Sequence, residues 1–195
     1  EGIERVTPDD IGFAREFGFR IKLLGVARRG SGRNGARGID QRVHLAMVRA
    51  RSPLAHVDGA ANAGMVDAGA SGQFLFSGRG AGAEPTASAV VADLVAIARG
   101  EIGPVFGVPA AALKPLTPAP SASHSAYYLR FEVLDMPGVL AEIAGHLAKF
   151  QVSIESMIQR GRRPGEPVSI VMITHETAQI AVESALKAIA TSDKV

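Results

Sequence analysis

Hydrophobic and polar positions alternate most regularly in the second half of the chain. Tyr127, Leu129, Phe131 and Val133 are interleaved with Arg130 and Glu132, the two-residue period of a half-buried strand. From Pro137 the period lengthens. Val139, Leu140, Ile143, Leu147 and Phe150 then share one side of a helix. A second strand is expected over 152–159, a turn at Arg160-Gly161-Arg162-Arg163-Pro164-Gly165, and a third strand over 168–174. A second helix over 177–190 would turn Val182, Leu186 and Ile189 inward. The order β-α-β-β-α is one strand short of the ferredoxin-like βαββαβ unit. The chain stops at Val195, about where the last strand would start. A missing strand would leave an unpaired edge, so the expectation is a chain cut short or a second chain that supplies the pairing.

The first half is patterned less regularly. Thr7, Pro8, Asp9 and Asp10 predict a helix start: a capping hydroxyl, a proline at the first helical position, and carboxylates at the positive end of the helix dipole. Ile11, Ala14 and Phe17 would share its inner face, and Gly18 would stop it. Strands are expected over 19–27 and 41–48. Between them Arg28-Arg29-Gly30-Ser31-Gly32-Arg33-Asn34-Gly35-Ala36-Arg37-Gly38 reads as an exposed, flexible hairpin loop. Residues 54–76 read as strand-rich with glycine turns. After a glycine-rich turn at 78–82, a helix over 85–99 would bury Val90, Val91, Leu94 and Ile97 and end at Arg99 and Gly100.

Gly100, Gly103, Pro104, Gly107, Pro109, Pro115, Pro118 and Pro120 then punctuate an Ala/Ser-rich stretch. Proline has a fixed φ and no N–H, which keeps it out of helix interiors and central strands. Residues 100–125 therefore read as a semi-rigid linker between a unit over 1–99 and another over 126–195. The expected fold class is α+β: a mixed-sheet region followed by a βαββα(β) domain.

Composition narrows the classes. At 195 residues the chain holds one or two small domains. Hydrophobic residues make up 47% and aromatics 5%, which suits an aliphatic core rather than a disordered chain. No apolar run approaches the ~20 residues that span a bilayer, so a soluble protein with no membrane partner is expected. Glu1, Glu4 and Arg5 open the chain with no apolar segment after them, which is not a signal peptide. The first residue being Glu rather than Met suggests a chain that begins partway through a longer one, or a processing boundary. The absence of cysteine rules out disulfides and thiol chemistry and fits a cytoplasmic protein.

A net charge of +2 makes no electrostatic case for nucleic acid. Arg28, Arg29, Arg33 and Arg37 have no aromatic residues among them and read as a solvated loop. His44, His56, His124, His146 and His175 lack the paired spacing of a metal site and read as surface or hydrogen-bonded residues. Glu183 and Lys187 form an ordinary i,i+4 pair on an exposed helix face. No Ser-His-Asp arrangement can be argued from spacing.

Three stretches of the first unit resemble homoserine dehydrogenase. They are Arg20-Ile21-Lys22-Leu23-Leu24-Gly25-Val26-Ala27, then Pro53-Leu54-Ala55-His56-Val57-Asp58-Gly59-Ala60-Ala61-Asn62-Ala63, then Gly78-Arg79-Gly80-Ala81-Gly82-Ala83-Glu84-Pro85-Thr86-Ala87-Ser88-Ala89-Val90-Val91-Ala92-Asp93. The second unit resembles an ACT domain. Leu134-Asp135-Met136-Pro137-Gly138-Val139-Leu140 stands for its D-x-PGVL turn, and Val152-Ser153-Ile154-Glu155-Ser156 stands for its second strand. The Arg/Gly-rich loop at 28–38 and the absent last strand fit less well.

The resemblance implies an oxidoreductase that interconverts L-homoserine and L-aspartate 4-semialdehyde with NADP or NAD. That reaction belongs to threonine, methionine and isoleucine biosynthesis. In the family a Rossmann domain, and a Lys and acidic residues that handle substrate, precede the segment matched here. No catalytic residue is therefore assigned, and this chain alone is expected to be inactive and not to hold the cofactor. The resemblance also implies a homodimer or higher homo-oligomer with threonine as the expected effector.

Two motifs carry candidate chemistry. Gly78-Arg79-Gly80-Ala81-Gly82-Ala83 satisfies G-x-G-x-x-A, whose backbone amides and following helix can face a pyrophosphate. No second parallel strand or terminal acidic residue follows, so it is not a primary dinucleotide fingerprint. By resemblance Gly80, Ala81 and Gly82 would touch the cofactor. The other reading is a tight turn that needs φ > 0.

In the ACT-like turn, Asp135, Met136, Pro137, Gly138 and Val139 join a strand to a helix start suited to an amino acid's carboxylate. The Asp135 carboxylate or strand carbonyls suit its ammonium. In ACT pairs the ligand lies between this turn and the neighbour's second strand, here Val152, Ser153 and Ile154. The other reading is that Asp135 only caps the helix. Three function classes remain: the dehydrogenase with a regulatory domain, a non-catalytic ACT-type amino-acid sensor or dimerisation module, and, disfavoured by the charge, a nucleic-acid binder.

Overall fold

The computed structural model describes residues 3–31, 37–101, 103–104, 106–118, 124–161 and 167–192. It divides into two compact units that interleave along the chain. The first holds Ala14–Leu24 and Leu45–Leu116, with the first few residues. The second holds Val6–Phe13, Gly25–His44 and Thr117–Val195.

The second unit is built on the two-residue period seen from Tyr127 onward. Strand β6 (Tyr128–Leu134) is followed by α3 (Val139–Lys149), β7 (Ile154–Gln159), β8 (Pro167–Thr174) and α4 (Gln179–Ile189). The element order read from the sequence is the observed one. The sheet order is β6-β8-β7, with β8 antiparallel to both neighbours. Leu129, Phe131 and Val133 of β6 meet Val168, Ile170 and Met172 of β8 in one core. Val139, Ile143 and Leu147 of α3 and Val182, Ala185 and Ile189 of α4 close that core from the helix side. The predicted inward positions Leu140, Phe150 and Leu186 pack at its margin, half-buried.

α3 ends in a Schellman turn. Val152 N donates to Leu147 O at 2.9 Å and Gln151 N to Ala148 O at 3.0 Å. Gln151 holds the left-handed position at φ 59°, where a Cβ crowds the backbone and glycine does not. Gln151→Gly is therefore expected to stabilise the unit by about 0.5–1 kcal/mol. A urea-unfolding midpoint that stays put or falls would contradict this.

In the first half, α1 (Pro8–Glu16) starts as predicted at Thr7. Thr7 Oγ1 accepts from Asp10 N at 3.3 Å, and Asp10 Oδ2 accepts from Thr7 N at 2.8 Å, a reciprocal cap of the capping-box kind. The inner face differs from the prediction. Ile11 is 43% exposed, whereas Ala14 and the carboxylate-bearing Asp10 are buried. Strands β1 (Phe19–Ser31) and β2 (Arg37–Arg49) are neighbours, and Ala50 N donates to Gly18 O at 2.8 Å at their base. The ladder thus runs well into the arginine-rich stretch assigned to a loop, whose residues 32–36 lie outside the described ones. Backbone pairing ignores side-chain polarity, so a ladder can extend where hydrophobic alternation has stopped. A short strand β5 (Thr117–Pro118) lies parallel to β2, pairing with Gly38 and Ile39, so part of the proline-rich stretch is docked. Pro118 can occupy such an edge because it need not donate.

β3 (Ala61–Asp67) and β4 (Gln73–Arg79) form an antiparallel hairpin, and α2 (Ala83–Ala98) follows. The helix is where the sequence puts it, but its predicted inner face is not buried. Val90, Val91, Leu94 and Ile97 are 54–64% exposed. Periodicity locates an apolar face; a buried one also needs an element to cover it.

Candidate functional site

Within the first unit the three stretches that carry the family resemblance pack on one another. Lys22 on β1 reaches Val57 O and Asp58 Oδ1, each at 2.7 Å. Arg20 stands 3.9 Å from Asp58 Oδ2. The hydrogen bond from Lys22, with its charge and that of Arg20, holds the Asp58 carboxyl below its ordinary range. This lysine–carbonyl–carboxylate contact was not legible in the sequence, because nothing in the spacing of 22 and 58 pairs them. His56 hydrogen-bonds Ala50 O at 2.8 Å. His44, on β2, is kept below its ordinary pKa first by burial and then by the charges of Arg42 and Arg28.

The glycine loop joins β4 to α2. Gly80 N donates to Ala60 O at 3.1 Å, and Asn62 lies directly on the Gly80 Cα, so that a Cβ there would stand 2.7 Å from Asn62 Cγ. Gly82 is the N-cap of α2 at φ 121° and ψ 157°, a region essentially closed to other residues. Thr86 N and Oγ1 both return to Gly82 O, at 3.2 and 2.8 Å. The two glycines thus have separate structural reasons: a close approach at Gly80 and a backbone conformation at Gly82. Gly80, Ala81 and Gly82 are exposed. Small side chains at the start of a sixteen-residue helix fit the approach of a cofactor phosphate. The amide of Gly80 is already used within the turn, so the loop suits one contact rather than a complete binding site.

Gly80→Ala is expected to destabilise the first unit by about 0.5–1.5 kcal/mol, because the exposed Asn62 side chain must leave its rotamer to make room. The same change in an Asn62→Ala background should cost much less. Equal losses in both backgrounds, in a thermal-melt double-mutant cycle, would remove Asn62 as the reason for glycine.

In the second unit, Asp135 follows β6 and is half-buried; Met136, Pro137 and Gly138 are exposed, and Val139 is buried. Gly138 at φ 93° is the N-cap of α3, so the cap position does not fall on Asp135. Met136 N donates to Leu134 O at 2.8 Å, and Glu142 N to Gly138 O at 2.9 Å. Of the first amides of the helix, that of Val139 turns back to Met136 O at 3.4 Å, and the next two have no intrahelical acceptor.

The other predicted segment lies elsewhere in the same sheet. Val152 is buried, Ser153 exposed and Ile154 half-buried. A bulge separates Ile154 from Ser156 in the register with β8. Leu134 pairs with Pro167, at one end of β8, and Ile154 pairs with Thr174, at the other. Those two positions are seven residues apart along the strand, about 23 Å at ~3.3 Å per residue. Within one chain, then, the turn and the 152–154 segment are not brought together.

A three-stranded antiparallel sheet of order β6-β8-β7 under two helices, entered through a strand–Pro–Gly–helix turn, defines an ACT-type regulatory module. Residues 127–191 match the ACT domain family, and residues 1–95 match the homoserine dehydrogenase family. The homoserine dehydrogenase of Neisseria gonorrhoeae is 42% identical over 203 residues, covering 100% of this chain and 45% of that protein. That of Mycobacterium bovis is 39% identical over 202 residues, covering 100% and 45%. The crystal structure of a homoserine dehydrogenase from Thiobacillus denitrificans superimposes with a TM-score of 0.84 at 42% identity, covering 100% of this chain and 44% of that one. The chain belongs to the homoserine dehydrogenase family and carries an ACT domain. It spans a little under half the length of the relatives it matches. Among the described residues, no helix is long and apolar enough to cross a membrane.

Proposed function

We propose that this chain is the substrate and dimerisation segment (1–99), linker (100–125) and regulatory ACT domain (126–195) of a cytoplasmic homoserine dehydrogenase. The whole enzyme would interconvert L-homoserine and L-aspartate 4-semialdehyde by hydride transfer with NADP or NAD. The cofactor supplies the hydride chemistry; from this chain Gly80, Ala81 and Gly82 would contribute one contact to it. The residues that the family uses on the substrate are not among these 195, so this chain by itself is expected to turn over no homoserine.

The ACT domain would bind threonine between two copies. The observation that carries this reading is the strand register. It holds Asp135, Met136, Pro137, Gly138 and Val139 at one end of β8, and Val152, Ser153 and Ile154 at the other. A ligand that touches both sets needs the turn of one copy and the strand of another. The α3 start would take the ligand carboxylate, and the Asp135 carboxylate its ammonium.

Calorimetric titration with L-threonine, with isoleucine and homoserine as controls, tests the proposal. Saturable heat for threonine, lost in Asp135→Ala, is expected from a chain that sediments as a dimer. A strictly monomeric mass together with no heat from any of the three amino acids would sink the effector reading, while leaving the family membership untouched.

A further inference from the structure

The buried Asp10 carboxylate has no part in the chemistry above, yet it is held by four donors. Oδ2 accepts from Thr7 N and from Thr7 Oγ1, each at 2.8 Å. Oδ1 accepts from the Tyr128 hydroxyl at 2.7 Å and from Arg130 Nε at 2.9 Å. Two of the donors belong to Thr7, which caps α1, and two to β6, and all lie in the second unit.

Tyr128 and Arg130 alternate with Leu129 and Phe131, so they occupy the face of the sheet turned away from α3 and α4. Their register partners on β8 are Ile173 and Val171. These two are 5% and 0% exposed although they stand outside the helix-side core. The second face is therefore covered around Val171 and Ile173, where the first turn of α1 is fastened, and opens to solvent towards Glu132. The polar chain continues along β6. Arg130 Nη1 donates to Glu132 Oε1 at 3.0 Å, and the same oxygen accepts from Ser169 Oγ at 2.7 Å. Glu132 is two residues from Leu134, whose carbonyl takes the Met136 amide in the turn.

We propose that Asp10, Tyr128 and Arg130 form a latch through which an amino acid bound at the 134–139 turn changes the state of α1. The inference rests on the effector-binding reading and adds the route by which binding would be felt outside the ACT domain. β6 is laddered to β8 from Tyr128 to Leu134 and seated on the helix-side core through Leu129, Phe131 and Val133, and the Arg130–Glu132–Ser169 chain ties its other face, so a displacement at its end is carried along the strand. Charge-assisted hydrogen bonds weaken steeply with distance and angle, which gives the latch a made and a broken state. The ligand favours the made state. Coupling free energy is reciprocal, so loosening the latch must weaken the ligand by the same factor.

The test uses the 195-residue chain, with L-threonine as probe, followed by calorimetry and amide hydrogen exchange. In the wild type, saturating threonine is expected to slow exchange at 134–142 and across α1. Tyr128→Phe removes one hydroxyl remote from the turn. It is expected to raise the threonine Kd about fivefold or more and to abolish the α1 response, with 134–142 still protected at saturation. Arg130→Lys keeps the charge, loses the Nε contact, and repeats the test should Tyr128→Phe not fold. Protection at 134–142 with unchanged α1 exchange in the wild type would overturn the latch and leave effector binding intact. So would a variant that melts lower but binds threonine with unchanged Kd, which is what a purely structural contact predicts. No heat and no protection at 134–142 would overturn both readings.

Discussion

Leu147→Ala is expected to cost the second unit about 2–5 kcal/mol. The Leu147 side chain is fully buried where α3 meets the sheet, in one core with Phe131, Ile143, Ile170 and Met172. Truncation loses the transfer free energy of three carbons and leaves a cavity that strands on one side and a helix on the other cannot close. Domain stabilities are about 5–15 kcal/mol, so this change removes a large share of the total. Leu140→Ala, at the half-buried margin of the same helix, should cost clearly less because water can fill the space. Urea unfolding followed by far-ultraviolet circular dichroism measures both. Similar losses for the two would mean that α3 is seated differently from the arrangement described.

Asp10→Ala is the second large effect, about 3 kcal/mol, at the low end of the range for breaking a buried ion pair. It strands the Tyr128 hydroxyl and takes one of two carboxylates from Arg130, which keeps Glu132 and is 26% exposed. The pH dependence has a definite sign. Burial alone raises the Asp10 pKa; the hydrogen bonds from Thr7 and Tyr128 and the charge of Arg130 outweigh it and hold the group below its ordinary value. A carboxylate with a depressed folded pKa contributes its stability fully above its unfolded pKa, about 3.9. That contribution is lost as pH falls from there through the folded pKa. The gap between wild type and Asp10→Ala should therefore be constant at pH 7 and pH 5 and narrower at pH 3. A gap that widens towards low pH would show that Asp10 is not held as the carboxylate.

The same burial and the Asp10 hydrogen bond push the Tyr128 hydroxyl well above the ordinary tyrosine pKa, so it remains a donor across that whole range.

Local elements are legible in the chain wherever one side chain in two or in 3.6 meets a core. β6 is placed by Leu129, Phe131 and Val133, α3 by Val139, Ile143 and Leu147, and the α1 cap by Thr7. These depend on neighbours within a few residues, and their signal is written in period and capping chemistry. The family stretches were equally legible as motifs, but not their convergence through Lys22 with Asp58 or Asn62 with Gly80.

Which faces are covered is settled by packing between segments remote in sequence. Asp10 reads as a carboxylate at the positive end of a helix, and Arg130 as a polar position of a half-buried strand; that the two meet, with Tyr128 on the same oxygen, follows only once α1 and β6 are brought together. Val90, Val91, Leu94 and Ile97 read as a buried stripe and are exposed. The antiparallel register decided that the 135–139 turn and the 152–154 strand lie at opposite ends of β8. Burial and register are properties of pairs of segments remote in sequence, and no single segment's pattern encodes its partner.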